Sequence, residues 1–330
     1  RNLFDHTVGS GKTFTAIASV MEMKRTGKAK KSLVVVPNHL TKEWGNSWLS
    51  LYPNANILVP SEKDFSAKRR KILMSRIATG DYDAIIIAHS QLTLIENDKN
   101  FEIKFIQEQV DEIKQAINLM RREKNQSGLS AKQWENKQQA LENKINDLLN
   151  ADKKDDNLSF GDLGIDALIV DEAHEFKNLA FHTALDRIRG LGNPTGSQRA
   201  FDLFIKTRYM LEKTNNKNLL FLTGTPISNS IAELFTMQRY MMYEELKDKR
   251  LIHFDSWAKQ FSQIKTDWEL SASGKYKQVT RMSRFNNMPE LIAMYKEFGD
   301  VVTTEKVKEQ YHQVSEKVKD TLSSFISNSP

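Results

Sequence analysis

Short apolar segments alternate with helical patterns through much of the chain. These segments lack the apolar–polar alternation of half-exposed strands, which indicates strands that are buried on both faces. The predicted strands are Leu3–Phe4, Ser32–Pro37, Ile57–Val59, Ala84–Ala88, Ala167–Val170 and Leu219–Leu222. The helices predicted among the first four strands are Thr13–Met23, Lys42–Leu51 and Lys68–Thr79. This alternation predicts an α/β fold in which helices cover both faces of a parallel sheet.

Residues 102–150 interrupt the alternation of strands and helices. Apolar side chains recur every three or four residues from Ile103 to Met120, which is typical of one face of a helix. A turn at Asn125–Gly128 precedes a second helix, whose start carries the capping box Ser130 and Gln133. Both helices are otherwise very polar. We therefore expect an antiparallel helical hairpin that is inserted between two strands and projects outward.

The pattern after Asn229 is helical as far as Glu245, which we take as the end of a first domain, residues 1–245. Residues 246–330 are less regular. Pro289 suits the first position of a helix, and the polar last 25 residues show no strand of a second motor lobe. The sequence thus predicts a mostly helical C-terminal extension.

Composition narrows the class of protein. The 330 residues include no cysteine, which excludes disulfides and thiolate zinc sites. No apolar run reaches the roughly 18 residues that span a bilayer, so we expect a cytoplasmic protein without membrane segments. The net charge of +6 arises within the first hundred residues, with basic clusters at Lys24–Lys31 and Lys68–Arg76. Such clusters suit a phosphate backbone, although each alone is equally typical of a solvated helix face.

The segment between the first strand and the first helix has the composition of a phosphate-binding loop. Glycines allow close backbone approach, and loop N–H groups at a helix start bind phosphate. The residues assigned to the nucleotide are Gly9, Ser10, Gly11, Lys12 and Thr13. Lys12 would bind the β- and γ-phosphates and the Thr13 hydroxyl would bind Mg²⁺. His6 stands where the longer form of this motif has glycine. The expected cofactors are ATP and Mg²⁺.

Two carboxylates follow the strand Ala167–Val170. Asp171 is expected to hold Mg²⁺, and Glu172 to orient and deprotonate the attacking water, so that with Lys12 they form the catalytic set. His174 lacks a histidine partner at helical spacing and is not expected to bind metal. We expect it to connect the nucleotide site with neighbouring motifs.

Four segments resemble motifs of Swi/Snf-type translocases in helicase superfamily 2. Asp171–Asn178 (DEAHEFKN) is similar to motif II, and Leu222–Asn229 (LTGTPISN) to motif III. Val34–Leu40 together with Trp44 is similar to motif Ia, and Ile85–Ser90 to motif Ib. The resemblance implies a RecA-like first motor lobe that binds double-stranded DNA. The chain also resembles the helicase–methylase fusion proteins of phages, plasmids and conjugative elements.

The resemblance also implies roles for single residues. Coupling of hydrolysis to movement would involve His174, Thr223, Gly224 and Thr225. Contacts to the DNA backbone would come from Asn38, His39, His89 and Ser90. A parent protein would supply a second motor lobe with the arginine finger, and often a DNA methylase region. Residues 246–330 would then lead toward that second lobe.

Three functions remain open at this point. The first is a lobe of an ATP-dependent translocase on duplex DNA. The second is a lobe of a strand-separating helicase, and the third is a nucleotide-binding scaffold that docks DNA without turnover. The glycine-rich segment Arg189–Arg199 fits a DNA contact and a surface loop equally well.

Overall fold

The computed structural model describes residues 1–122, 128–150, 158–181, 183, 196–226, 230–270, 276–309 and 312–313. The strands are β1 (Asn2–His6), β2 (Ser32–Val36), β3 (Ile57–Leu58), β4 (Ala84–Ala88), β5 (Ala167–Val170), β6 (Leu219–Thr223), β7 (Ser262–Leu270), β8 (Tyr276–Phe285) and β9 (Gly299–Val302). The helices are α1 (Lys12–Arg25), α2 (Thr41–Leu51), α3 (Ala67–Thr79), α4 (His89–Leu92), α5 (Lys99–Arg122), α6 (Gly128–Asn150), α7 (Gln198–Lys213), α8 (Ile231–Met241), α9 (Tyr243–Asp248), α10 (Phe254–Phe261) and α11 (Met288–Lys296).

A seven-stranded parallel sheet in the order β3-β4-β2-β5-β6-β1-β9 forms the centre of the molecule. All six strands predicted from the apolar segments belong to it. Alternate side chains of β2 enter two different cores: Leu33 and Val35 lie in one, and Val34 and Val36 lie in the other. Helices cover both faces, which explains why the central strands need no polar face. The prediction of an α/β fold, with helices on both faces of a parallel sheet, is confirmed.

The parallel strands bring their carboxyl ends to one edge of the sheet, which we call the carboxyl edge. This is where open α/β sheets bind their ligands. The segments at this edge are residues 7–11 after β1, 37–40 after β2, 89–90 after β4, 171–172 after β5 and 224–226 after β6. The fold therefore gathers all the predicted motifs along one line.

The inserted hairpin consists of α5 and α6. Ile106, Val110 and Ile145 form its buried seam, as the helical spacing predicts. The start of α5 also joins the main core, because the Phe105 ring lies 5.6 Å from that of Phe204 and 5.8 Å from that of Tyr243. The hairpin is thus anchored at its base as well as paired with itself.

The structure corrects the prediction of a mostly helical extension over residues 246–330. Strands β7 and β8 form an antiparallel pair, and β9 adds a parallel strand beside β1. The helix expected at Pro289 is α11. None of the helices within the described ranges is long and apolar enough to cross a membrane.

Candidate nucleotide-binding site

The loop between β1 and α1 exposes its backbone at the carboxyl edge. Gly9 and Gly11 have φ angles of 82° and 83°, in the left-handed region that favours glycine. A Cβ added at either position would meet no atom within 4 Å. Glycine is therefore required here by backbone conformation, and the space above the loop is open to a ligand.

The Lys12 ammonium group folds back onto this loop. Its Nζ donates to the carbonyl oxygen of His6 at 2.8 Å and to that of Thr7 at 3.3 Å. A Cβ built on Gly224 would lie 3.5 Å from the same nitrogen, so the end of β6 also borders it. The cation thus lies at the mouth of the loop, bonded to neutral carbonyls that a phosphate oxygen can replace.

Strand β9 and helix α11 hold β1 from its outer side. His6 Nε2 lies 2.9 Å from Asp300 Oδ2, and the Tyr295 hydroxyl donates to Asp5 Oδ2 at 3.0 Å. The His6 ring also stacks on Phe4 with centroids 4.8 Å apart. The histidine that departs from the glycine of the longer motif therefore serves to attach the neighbouring strand.

Asp171 is buried and held by hydrogen bonds at the end of β5. Trp44 Nε1 donates to its Oδ2 at 3.1 Å, and the Glu172 amide donates to its Oδ1 at 3.0 Å. Its own amide donates to Val35 O at 2.8 Å. Burial and then the neighbouring Glu172 raise the pKa of Asp171 to about 6, although Trp44 and Lys12 oppose that rise. A bound cation would stabilise the ionised form that burial disfavours.

Glu172 has a φ of 49°, which is unusual for a residue with a side chain. Such backbone strain clusters at functional sites. Its side chain is 34% exposed, and its Oε2 lies 3.2 Å from His174 Nδ1. The strained turn directs this carboxylate into the open cleft beside the buried Asp171.

His174 links the acidic motif to the end of β6. Its Nδ1 lies 3.1 Å from Thr223 Oγ1, and that hydroxyl accepts a hydrogen bond from the Thr225 amide at 3.1 Å. A second link joins Lys177 Nζ to Glu233 Oε1 at 3.1 Å. Motif II is therefore connected both to motif III and to helix α8, which follows it.

Three of the four predicted DNA contacts, Asn38, His39 and Ser90, have exposed side chains. The Ser90 amide donates to Asn38 Oδ1 at 3.3 Å, which fixes the two motif segments together. His89 does not fit the predicted surface contact. It is only 4% exposed, and its Nε2 donates to the Asp171 carbonyl oxygen at 2.8 Å. Burial lowers the pKa of His89 to about 4, so this ring is neutral and positions the acidic turn.

A cleft of about 610 Å³ runs along the carboxyl edge. Its lining joins the phosphate loop, the acidic motif, motif III and the Asn38 segment: Val8, Pro37, Asn38, His39, Leu40, His89, Glu172, His174, Glu175, Arg199, Gly224 and Thr225. The described residues therefore form one continuous surface from the nucleotide loop to the predicted DNA contacts.

The sequence reasoning did not assign functions to Trp44 and Arg199, although both belong to this region. Arg199 Nη2 donates to the Glu175 carbonyl oxygen at 2.8 Å, and its guanidinium lies 5.0 Å from the Phe176 ring centroid. Of the glycine-rich segment, residues 189–195 lie outside the described residues, as do residues 227–229 of motif III. The sequence did offer a signal for Trp44, because this tryptophan follows closely after the segment Val34–Leu40 at the end of a strand.

The donor set suits magnesium better than a metal held entirely by protein. No group of three or more histidine or acidic side chains that could hold a metal occurs among the described residues. Mg²⁺ usually keeps several waters and binds through one or two protein oxygens plus substrate phosphates. The two residues that the sequence assigns to this ion, Thr13 and Asp171, offer that number of oxygens.

Comparisons with known proteins identify the family. A family model described as "Probable helicase domain" matches residues 2–303. The defense against restriction protein B of Escherichia phage P1 is 26% identical over 153 residues, which are 46% of this chain and 7% of the phage protein. A solved structure, the Sulfolobus solfataricus SWI2/SNF2 ATPase core in complex with dsDNA, aligns at 16% identity and a TM-score of 0.45, covering 91% of this chain and 39% of that chain. The chain thus spans a minor part of both proteins' lengths. Because the family model covers nearly all of it, the chain belongs to the probable helicase domain family.

Proposed function

We propose that this chain is the first motor lobe of a DNA translocase driven by ATP hydrolysis. One observation carries the proposal: Val8 of the phosphate loop, Glu172 of the acid pair and the Gly224–Thr225 segment line a single cleft that continues to Asn38. Membership of the helicase family supports it. Residues 1–245 would form the lobe together with strand β9, which pairs with β1, and the rest of residues 246–330 would form an extension toward a second lobe of the parent protein.

The loop residues fit a triphosphate. Gly9, Ser10 and Gly11 would present amide N–H groups to the phosphates, and the Lys12 ammonium would exchange its loop carbonyls for phosphate oxygens. Thr13 and Asp171 would bind Mg²⁺. ATP·Mg²⁺ supplies the transferable phosphoryl group and the charge that neutralises it.

Hydrolysis requires a base beside the γ-phosphate position. Glu172 is partly exposed in the cleft and would accept a proton from the attacking water. Phosphoryl transfer depends on charge placed around the transferred group, and an arginine finger contributes about 10³–10⁵ in rate. We expect that arginine from the second lobe, so the 330-residue chain alone should turn over near background.

The contact from Glu172 through His174 to Thr223 is suited to coupling. A change in charge at the catalytic carboxylate alters the hydrogen bonding of His174, and Thr223 transmits it to the Thr225 amide. Gly224 lies beside Lys12 and would respond to the same phosphate. Movement of this segment would then follow the nucleotide state.

Duplex DNA is the proposed track. Asn38, His39 and Ser90 would contact backbone phosphates, which carry no sequence information, so binding should tolerate any sequence. A methylase region in the parent protein is a further proposal from the sequence resemblance.

The deciding assay uses the parent protein with ATP on two substrates. A duplex carrying a triplex-forming third strand reports tracking along double-stranded DNA, and a forked duplex reports strand separation. We expect third-strand displacement without fork opening. Fork opening would assign the protein to the strand-separating helicases, and inactivity on both substrates would favour a docking scaffold.

A further inference from the structure

The two basic clusters of the first hundred residues differ in position and in pairing. The α1 cluster, Lys24–Lys31, comprises the end of α1 and the turn before β2, so it lies at the amino ends of the strands. The α3 cluster, Lys68–Lys71, is at the start of helix α3, whose other end lies beside Lys31 at the amino ends of the strands, so the cluster lies toward the carboxyl edge. Only the α3 cluster lies at the same edge of the sheet as the cleft.

Much of the α1 cluster is occupied by contacts within the molecule. Lys24 forms an ion pair with Asp83, and Arg25 Nη2 lies 2.6 Å from Glu22 Oε1. Lys31 Nζ donates to the Ile77 carbonyl oxygen at 2.7 Å. These contacts give the cluster a structural role that needs no ligand.

The α3 cluster places four consecutive cations, Lys68, Arg69, Arg70 and Lys71, in the first turn and a half of a helix. That turn contains no acidic residue. Within the described ranges none of the four side chains makes an ion pair or hydrogen bond, although the Asp64 carboxylate, which is bonded to Ser61, attracts Arg69 electrostatically. Cations at a helix start oppose the helix dipole and cost stability. A cluster that reduces stability and forms no ion pair or hydrogen bond of its own among the described residues is suited to an external anion.

The strand order indicates where such an anion would bind relative to the motif segments. From β1 outward the carboxyl edge carries the phosphate loop, then the acid pair on β5, then Asn38 after β2 and Ser90 after β4. Strand β3 is next to β4 at the end of the sheet, and α3 packs against the turn Glu62–Phe65 that follows β3. The α3 cluster therefore begins near the end of the outermost strand, on the side of the sheet that is away from the nucleotide loop.

We propose that the α3 cluster binds the phosphate backbone of the same duplex that contacts Asn38 and Ser90, which lengthens the DNA surface beyond the motifs. This inference rests on the proposed function. A repeating array of phosphates matches several adjacent cations better than a single anion does. Each phosphate neutralised releases counterions and adds about 0.9 to the salt dependence of duplex binding.

The test measures binding of the whole chain to a fluorescent duplex across a series of KCl concentrations. One variant carries Lys68→Gln, Arg69→Gln and Lys71→Gln. The matched control carries Arg25→Gln, Lys28→Gln and Lys30→Gln, which removes two lysines and one arginine from exposed positions at the opposite edge. Thermal unfolding checks that both variants fold.

We expect the α3 variant to lose roughly 10-fold or more in affinity at low salt, and the slope of log K against log salt to fall by about 2 to 3. The control should stay within about 2-fold of wild type, as expected for cations that touch no phosphate. If the α3 variant keeps the wild-type affinity and slope, the inference about the α3 cluster is wrong while the proposed function stands. The same conclusion follows if both variants are weakened equally. Unchanged duplex binding with lost binding of poly-glutamate would assign the cluster to an acidic protein instead. Failure of the wild-type chain to bind duplex would reject the proposed function as well.

Discussion

The two halves of the proposed nucleotide site are held very differently. The acidic half, Asp171 and Glu172, is fixed by the Trp44 indole, by backbone amides and by His89 behind the turn. The loop half, Gly9–Lys12, is open, and its cation is bonded to the loop's own carbonyls. One half is therefore preorganised and the other must exchange partners when a ligand binds.

This difference separates chemistry from binding. Charged groups that are already in place do not need to rearrange during the reaction, so they mainly lower the free energy of the transition state. A loop that exchanges carbonyl contacts for phosphate contacts contributes to binding itself. Changes in the acidic half should reduce turnover while ATP remains bound, and changes in the loop half should reduce affinity.

The largest expected effect is on turnover. In a protein that carries this chain with its second lobe, Glu172→Gln should lower DNA-stimulated hydrolysis by roughly 10²–10⁴, because a general base is lost. The affinity for ATP·Mg²⁺ should change by only a few-fold. Glu175→Gln is the matched control, since Glu175 lies one turn away and pairs with Arg199. Equal loss of turnover in both variants would contradict the role of Glu172.

The next effect concerns pH and tests how the acidic half is held. Burial raises the pKa of Asp171 to about 6, so its contribution to stability is greatest below about pH 4 and is lost as pH rises through 6. Burial lowers the pKa of His89 to about 4, so its contribution is present above about pH 6.5 and is lost as pH falls toward 4. The two contributions oppose each other in this window, each amounting to at most roughly 3 kcal/mol.

Removing one of these two groups should reveal the pH dependence of stability that the other contributes. Relative to wild type, His89→Gln should become more stable as pH falls from 6.5 to 4, and Asp171→Asn should become less stable. Urea unfolding in EDTA at four pH values measures this. Stability curves that stay parallel to wild type would show that neither group is held as described.

The smallest effect tests the open half through backbone conformation. Gly11 and Gly27 both have positive φ angles, 83° and 69°, and a Cβ on either meets no atom within 4 Å. Alanine at each should cost a similar roughly 1–2 kcal/mol of unfolding free energy. Only Gly11→Ala should also weaken ATP binding, since Gly27 lies in the turn after α1. Loss of ATP binding in Gly27→Ala would indicate general destabilisation.

The sequence predicted this edge of the sheet well because its strands are buried on both faces. Runs such as Ala84–Ala88 and Ala167–Val170 have the bounds that the structure shows. Helix α7 went unpredicted because polar residues, including Asp202 and Lys206, are buried on it and obscure the apolar period. Lys206 Nζ donates to Asp202 Oδ2 at 2.8 Å, an i,i+4 pair that a sequence pattern would place on an exposed helix face.

The extension shows the other limit. Strand β9 is four residues long and partly exposed, so it lacks an apolar run, yet Asp300 on it reaches His6 beside the phosphate loop. His89 was predicted at the surface because a motif gives position along the chain but not burial. The position of β9 and the burial of His89 are both decided by contacts between residues that are distant in sequence.

The central claim is that Lys12 belongs to an ATP·Mg²⁺ site shared with Asp171. Calorimetry of ATP·Mg²⁺ with the 330-residue chain tests it most directly, with Lys12→Ala against Lys42→Ala, which removes the same charge from an exposed position on α2. We expect weak binding by wild type and by Lys42→Ala, and about 10-fold or greater loss in Lys12→Ala, as expected for a charge-assisted hydrogen bond. Equal affinity in wild type and Lys12→Ala would contradict the account.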